Sequence, residues 1–304
     1  MRIASLDIGT NTLLMTIAES HSDGSFTVLH DAHTIVRLGE NLAATGLIGD
    51  AAIDRACACL AEYNRICRDL QVDLCVGVAT SAVRTAVNGK AALDVLRKQV
   101  QGTIHCISGL EEAELTFRGT VPNESPYVVL DIGGGSTEIV YGVNAMPSFR
   151  ESFELGAVVV HERFLAQQPV SSTALVNATT AMSTCIHPSA VPTDSSWIGV
   201  AGTPTTLALI IQEVPYTNVD AAHDFRLSYS HVCEVTELLL SATRSELFDI
   251  TGIHPKRADI LPAGAWILRE IMRMNNVSQI TVSTRGLRYG VLQQAYMAAS
   301  RREV

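Results

Sequence analysis

The chain has 304 residues, with 22 Lys and Arg against 31 Asp and Glu for a net charge of −9, and 47% hydrophobic against 17% charged residues. These proportions exclude a disordered or collagen-like chain, and at ~150 residues per domain the length suggests two modest globular units. The acidic balance argues against nucleic acid or a membrane surface as partner, because both polyanions select a basic face.

The longest uncharged stretches, Phe164 to Thr193 and Ser195 to Gln212, are broken by Pro, Gly, Gln, Asn and hydroxyl residues, so no bilayer span is expected. The opening Met1 to Asp7 carries one positive residue and no apolar leader core, which points to a cytoplasmic protein. Seven cysteines without a C-x-x-C pair are read as reduced, mostly buried thiols, with no zinc site.

In chain order, β-like runs at Ile3 to Ile8, Leu13 to Ala18 and Phe26 to Val36 are separated by turn residues and read as two hairpins. Asp50 then caps a helix whose apolar face runs through Ile53, Cys57, Leu60, Tyr63, Cys67 and Leu70. Strand-like 72–78, helical 89–100, strand-like 103–107 and helical 111–117 follow, a βαβα order that implies parallel strands. Tyr127 to Ile132 begins a second β-rich series with Glu138 to Val143 and Ser148 to Phe153, then a helical pattern near Val158 to Leu165. A last helical stretch starts at Tyr289 and is placed to fold back on the first lobe.

Asp7-Ile8-Gly9-Thr10-Asn11-Thr12 and Asp131-Ile132-Gly133-Gly134-Gly135-Ser136-Thr137 repeat one unit: an apolar strand ending in Asp-Ile-Gly, a glycine and hydroxyl turn, then another strand. Both head β-then-α sequences, so the chain reads as a duplicated α/β core, with lobes at 1–120 and 121–304 joined near Pro122 and Pro126. Three glycines let backbone N–H groups approach an anion, and Ser136 and Thr137 add donors, so the second turn suits phosphate. Asp131 and Glu138 flank it as Mg²⁺ requires when it keeps waters and bridges to phosphate oxygens. A tight hairpin with solvated acids is the plainer alternative. Thr10 and Asn11 can donate to phosphate oxygens, and Asp7 can orient a metal-bound water. Arg84, after Val78-Ala79-Thr80-Ser81-Ala82-Val83, suits a bidentate grip on phosphate, though surface arginines are common. Glu111 and Glu112 open a helix, where dipole complementation explains one of the two.

Asp7-Ile-Gly-Thr-Asn-Thr, Val36-Arg-Leu-Gly39, Ala79-Thr-Ser-Ala-Val-Arg-Thr-Ala86, Ile107-Ser-Gly-Leu-Glu-Glu-Ala113, Asp131-Ile-Gly-Gly-Gly-Ser-Thr-Glu138 and Arg257-Ala-Asp-Ile-Leu-Pro-Ala-Gly264 together resemble the exopolyphosphatase/guanosine pentaphosphate phosphatase family. The resemblance implies an α/β fold of two duplicated ribonuclease-H-like lobes, as in actin-like ATPases, with a phosphate-binding cleft between them. It implies that Glu112 is the general base, that Arg84 grips phosphate, and that Asp131 and Glu138 hold Mg²⁺ or another divalent cation, with Asp7 as a third candidate ligand. A monovalent cation and a homodimer are compatible with it. Asp7, Gly9, Thr10, Asn11, Gly133, Gly134, Gly135, Ser136 and Thr137 would line the phosphate cradle, and Gly202 and Thr203 a third glycine turn. Gly202 and Thr203 read equally well as a helix cap. Lys256, Arg257, Arg285 and Arg288 read as a polyanion path or, more simply, a solvated basic face.

The implied activity is Mg²⁺-dependent release of orthophosphate from the ends of inorganic polyphosphate. The alternatives are 5′-phosphate removal from guanosine pentaphosphate, or a non-catalytic alarmone-binding regulator. Longer members carry an extra helical C-terminal region for which the chain leaves no room, which argues against tight processive gripping of long polyphosphate.

Overall fold

The computed structural model describes residues 1–21, 24–187, 190–192 and 195–300. Ser22 and Asp23 of the second expected turn, and the last residues of the final helical stretch, lie outside them. The chain divides into two compact units, one formed by 1–119 with the segment from Gly286 onward, the other by Thr120–Arg285.

The first unit contains β1 (Arg2–Ile8), β2 (Thr12–Ser20), β3 (Phe26–Ile35), α1 (Leu42–Thr45), α2 (Asp50–Asp69), β4 (Leu74–Ala79), α3 (Ser81–Thr85), α4 (Gly89–Arg97), β5 (Thr103–Cys106) and α5 (Gly109–Thr120). Its sheet order is β3-β2-β1-β4-β5. The first three strands form an antiparallel meander, while β1, β4 and β5 run parallel. Parallel central strands are covered on both faces, and β1 shows it. Ala4, Leu6 and Ile8 join the core that contains Leu60 and Tyr63 of α2, whereas Ile3 packs with Leu292 and Ala295. Those two belong to α12 (Leu287–Ser300), which places this helix in the first unit.

Asp50 is the first helical residue of α2 and Gly49 holds the cap position, so the carboxylate acts on the helix dipole and does not cap. The buried face of α2 runs through Ala52, Ala56, Cys59, Leu60, Tyr63 and Cys67. It is rotated from the expected stripe, with Ile53 and Cys57 only partly buried, because small side chains occupy the positions nearest the sheet. All seven cysteines are free, and only Cys59, Cys67 and Cys75 are buried, fewer than expected.

The second unit contains β6 (Tyr127–Ile132), β7 (Thr137–Val143), β8 (Met146–Phe153), α6 (Ala157–Val160) with a wide helical turn at His161–Leu165, α7 (Ser172–Cys185), β9 (Ser196–Val200), α8 (Gly202–Ile211), β10 (Arg226–Ser228), α9 (Tyr229–Ser241), α10 (Arg244–Asp249), α11 (Leu261–Met274) and β11 (Gln279–Val282). Its sheet order is β10-β11-β9-β6-β7-β8. Here β6, β7 and β8 form the antiparallel meander, and β6, β9 and β11 run parallel. Strands 8-7-6-9-11 thus reproduce 3-2-1-4-5 in order and direction, with β10 added at the edge. The fold is a duplicated α/β core of the kind the sequence repeat implied.

No described helix is long and apolar enough to cross a membrane.

Candidate active site

In the first unit the ends of β1, β4 and β5 lie side by side. Ile8 pairs with Ala79, Ala79 with Cys106, and the amide of Ile107 donates to the Ala79 carbonyl at 3.1 Å. The three loops that leave this carboxyl edge carry the expected residues, the usual location of ligand sites in open parallel sheets. One loop runs Gly9 to Thr12. The next is Thr80 leading into α3 with Arg84, and the third is Ile107-Ser108 leading into α5.

The first loop is built to turn amides outward. Gly9 N–H donates to the Thr12 carbonyl at 3.1 Å, and a Cβ at Gly9 would crowd that oxygen. The Thr10 carbonyl accepts from Gly39, and the Asn11 carbonyl from Val36 and Arg37, so Val36-Arg-Leu-Gly39 clasps the loop by its acceptors. Thr10 and Asn11 are buried, yet no described protein group accepts from their N–H groups.

The second unit repeats the arrangement. Asp131 pairs with Glu138 and Ile132 with Thr137, and Gly133 N–H donates to the Ser136 carbonyl at 3.0 Å. The carbonyls of Gly133 and Gly134 accept from Ala157 and Val158 at 2.9 and 2.8 Å, at the start of α6. Gly156 can lie against Gly134 because it has no Cβ. Again the two middle amides, of Gly134 and Gly135, have no described protein acceptor. Thr137 is fully buried and its hydroxyl donates to the Leu155 carbonyl at 2.7 Å, so it braces the loop. Ser136 is also buried.

The two copies differ where chemistry would differ. The position opposite Asp7 is Leu14, while the position opposite Asp131 is Glu138. Only the second hairpin therefore carries two facing carboxylates. Glu138 is 1% exposed, and Ser152, opposite it on β8, donates to its Oε1 at 2.7 Å. Two hard oxygen ligands on facing positions fit Mg²⁺, which takes one or two carboxylates and keeps waters. Among the described residues no group of three or more His, Cys, Asp or Glu is arranged to hold a metal.

The adjacent glutamates Glu111 and Glu112 have different surroundings. Glu111 Oε2 accepts from the Ser108 N–H and hydroxyl, both at 2.9 Å, and the Ser108 hydroxyl accepts from Glu111 N–H, a capping box. These hydrogen bonds from Ser108 hold the Glu111 carboxyl below the usual range. Glu112, one position on, is buried, and its Oε2 accepts from Arg84 Nη1 at 3.0 Å. The same Nη1 donates to the Ile107 carbonyl at 3.2 Å. Cys106 lies in the field of this pair: burial pushes its thiol up, Arg84 pulls it down and Glu112 pushes it up.

The third glycine turn has packing reasons of its own. The Arg257 guanidinium occupies the space a Cβ at Gly202 would need. Thr203 is buried against Gly264, where only a glycine fits. The hydroxyls of Thr205 and Thr206 are spent on the carbonyls of Ala201 and Gly202. Burial pushes the Arg257 pKa down to about 10, which leaves it charged at neutral pH. Arg288 is no part of a basic face: it is buried in the first unit and grips Asp31 with Nε and Nη2 at 3.1 and 2.8 Å.

Sequence reasoning missed Ser152 and the clasp made by Val36 to Gly39. The β7–β8 register would have found the first. The second needed the fold.

The model of the Ppx/GppA phosphatase family matches residues 16–298. The chain belongs to the Ppx/GppA phosphatase family. It is 33% identical to exopolyphosphatase 2 of Mycobacterium tuberculosis over 310 residues, covering 95% of this chain and 97% of that protein. It is 27% identical over 295 residues to guanosine-5′-triphosphate,3′-diphosphate pyrophosphatase of Vibrio atlanticus, covering 95% of this chain but 58% of the other. Among solved structures, that of an exopolyphosphatase-like protein superposes with a TM-score of 0.89 at 26% identity, covering 97% of each chain. Ppx/GppA proteins are hydrolases, and the α/β fold of this chain is that of the family.

Proposed function

We propose that this chain is an exopolyphosphatase that removes the terminal phosphate of inorganic polyphosphate with a divalent cation, Mg²⁺ in the first instance. The observation that carries the proposal is Glu112, a buried carboxylate beside Arg84 that the helix cap does not use, since Glu111 fills that role. A binder of phosphates has no need of it. The near full-length match to an exopolyphosphatase favours polyphosphate over guanosine pentaphosphate as substrate.

In this reading the amides of Thr10 and Asn11 and the Arg84 guanidinium of the first unit take phosphate oxygens, and the amides of Gly134 and Gly135 serve the same purpose in the second. Glu112 accepts a proton from the water that attacks the terminal phosphorus, and the loop amides and Arg84 stabilise charge growing on the equatorial oxygens. Asp131 and Glu138 would hold the cation, with Asp7 a further candidate, and the ion would supply neutralisation of phosphate charge.

The test is orthophosphate release from long polyphosphate, short polyphosphate and guanosine pentaphosphate at matched terminal-phosphate concentration, beside Glu112→Gln. Polyphosphate should be preferred, and Glu112→Gln should lose about 10²- to 10⁴-fold in rate while remaining folded. Preference for the pentaphosphate would replace the substrate. Turnover surviving in Glu112→Gln would remove the base.

A further inference from the structure

A general base should not be neutralised by a guanidinium when it takes its proton, yet Arg84 Nη1 lies 3.0 Å from Glu112 Oε2. The two side chains are 18% and 10% exposed, so water screens the pair weakly. A carboxylate that accepts from a cation is held in its charged form and is a poorer proton acceptor. Glu111 cannot stand in, because Ser108 holds it in the cap.

We infer that Arg84 and Glu112 are resting-state partners that separate on binding: a phosphate that engages the Arg84 guanidinium draws it off Glu112 and leaves that carboxylate able to accept a proton. The inference rests on the phosphate-hydrolysing reading above and adds to it the order of events. Carboxylate and phosphate offer the guanidinium fork the same kind of bidentate acceptor, so they compete for it. The exchange is not all loss for Arg84, since Nη1 also donates to the Ile107 carbonyl, a backbone acceptor that stays in place when Glu112 is released. Substrate thereby unmasks the base only when a phosphate is there to be attacked. Water reaching the loops of the resting protein meets a paired carboxylate.

Competition of this kind has a signature that does not require turnover. Orthophosphate binding is measured by titration calorimetry at one fixed Mg²⁺ concentration for the full chain, Glu112→Gln, Arg84→Ala and the double variant, with thermal unfolding to show that each is folded. Glu112→Gln should tighten binding about five- to tenfold, a coupling of ordinary size between two linked sites. Arg84→Ala should weaken it, and the gain from Gln should vanish in the double variant. Glu112→Ala, which removes the acceptor, should act in the same direction as Gln and serves if Gln does not fold. An equal gain with and without Arg84 would mean that only a repelling charge was lost, and would overturn the exchange. So would unchanged or weaker binding in Glu112→Gln. Absence of phosphate binding in all four proteins would instead bring down the phosphate reading and the exchange with it.

Discussion

Asp131 and Glu138 occupy directly opposed positions across the β6–β7 ladder. Like charges facing each other on one sheet face repel, and here one of them is almost completely buried. A cation held by both, as proposed, would relieve that repulsion. Divalent metal should therefore stabilise the protein, by roughly 2.7 kcal/mol at a hundredfold excess over its dissociation constant. Asp131→Asn should gain nothing from Mg²⁺. Denaturant unfolding with and without Mg²⁺ reads both; an equal Mg²⁺ response in the variant would place the ion elsewhere.

Ser152 has the position of a supporting residue, since its hydroxyl fixes the orientation of the Glu138 carboxylate from the neighbouring strand. Removing such support commonly costs 10- to 100-fold in metal affinity. Ser152→Ala should raise the Mg²⁺ concentration for half-maximal phosphate release about tenfold, with the rate at saturating Mg²⁺ nearly unchanged. A fall in the saturated rate with no shift in the Mg²⁺ midpoint would show that Ser152 serves the chemistry by another route.

What could be read in advance was local. Both Asp-Ile-Gly hairpins were legible because strand, turn and return strand are consecutive in sequence, and the hydrogen bond that closes each turn joins residues three apart. The β1 to α5 order was legible for the same reason. Helix α7 was not, because its apolar stripe of Ala174, Ala178 and Met182 is narrow and lies in a run of Ser, Thr and Ala. It is held by the Ser171 cap and by Thr179 and Thr180 bonding back to carbonyls four residues earlier. The Arg288–Asp31 pair joins residues 257 positions apart, a separation no periodicity reports. The separate fates of Glu111 and Glu112 needed coordinates too, since the capping box fixes one and Arg84, from another loop, fixes its neighbour.

Gly202 offers a test of packing against ligand contact. A methyl group there has to displace the Arg257 guanidinium, which lies half-buried against the glycine. Overpacking of that kind costs about 1–3 kcal/mol. Gly202→Ala should lose that much stability in urea, and Gly202→Ala combined with Arg257→Ala should recover part of it, since the clash is gone. No recovery in the pair would mean that Gly202 is required for backbone conformation and not for Arg257.

The Asp31–Arg288 pair ties α12 to the strands at the edge of the first sheet. Burial alone would push the Asp31 carboxyl up, but hydrogen bonds and charge from His33 and Arg288 outweigh it and hold the pKa at about 2, against an ordinary 3.8. A carboxyl with a depressed folded-state value contributes stability that is fully present above its unfolded value and is lost as pH falls through the folded one. The window is thus pH 4 down to pH 2. The side chain is about one-third exposed, so solvent screening reduces the contribution to roughly 1–2 kcal/mol. Asp31→Asn should remove it, giving a protein that is less stable at pH 7 and whose stability changes less between pH 4 and pH 2. Arg288→Met should cost about 1–2 kcal/mol at pH 7, since the Asp31 carboxylate it leaves behind is partly solvated and keeps His33 beside it. Urea unfolding across this pH range decides it: parallel stability curves for the parent and Asp31→Asn would show that the pair carries no pH-linked stability.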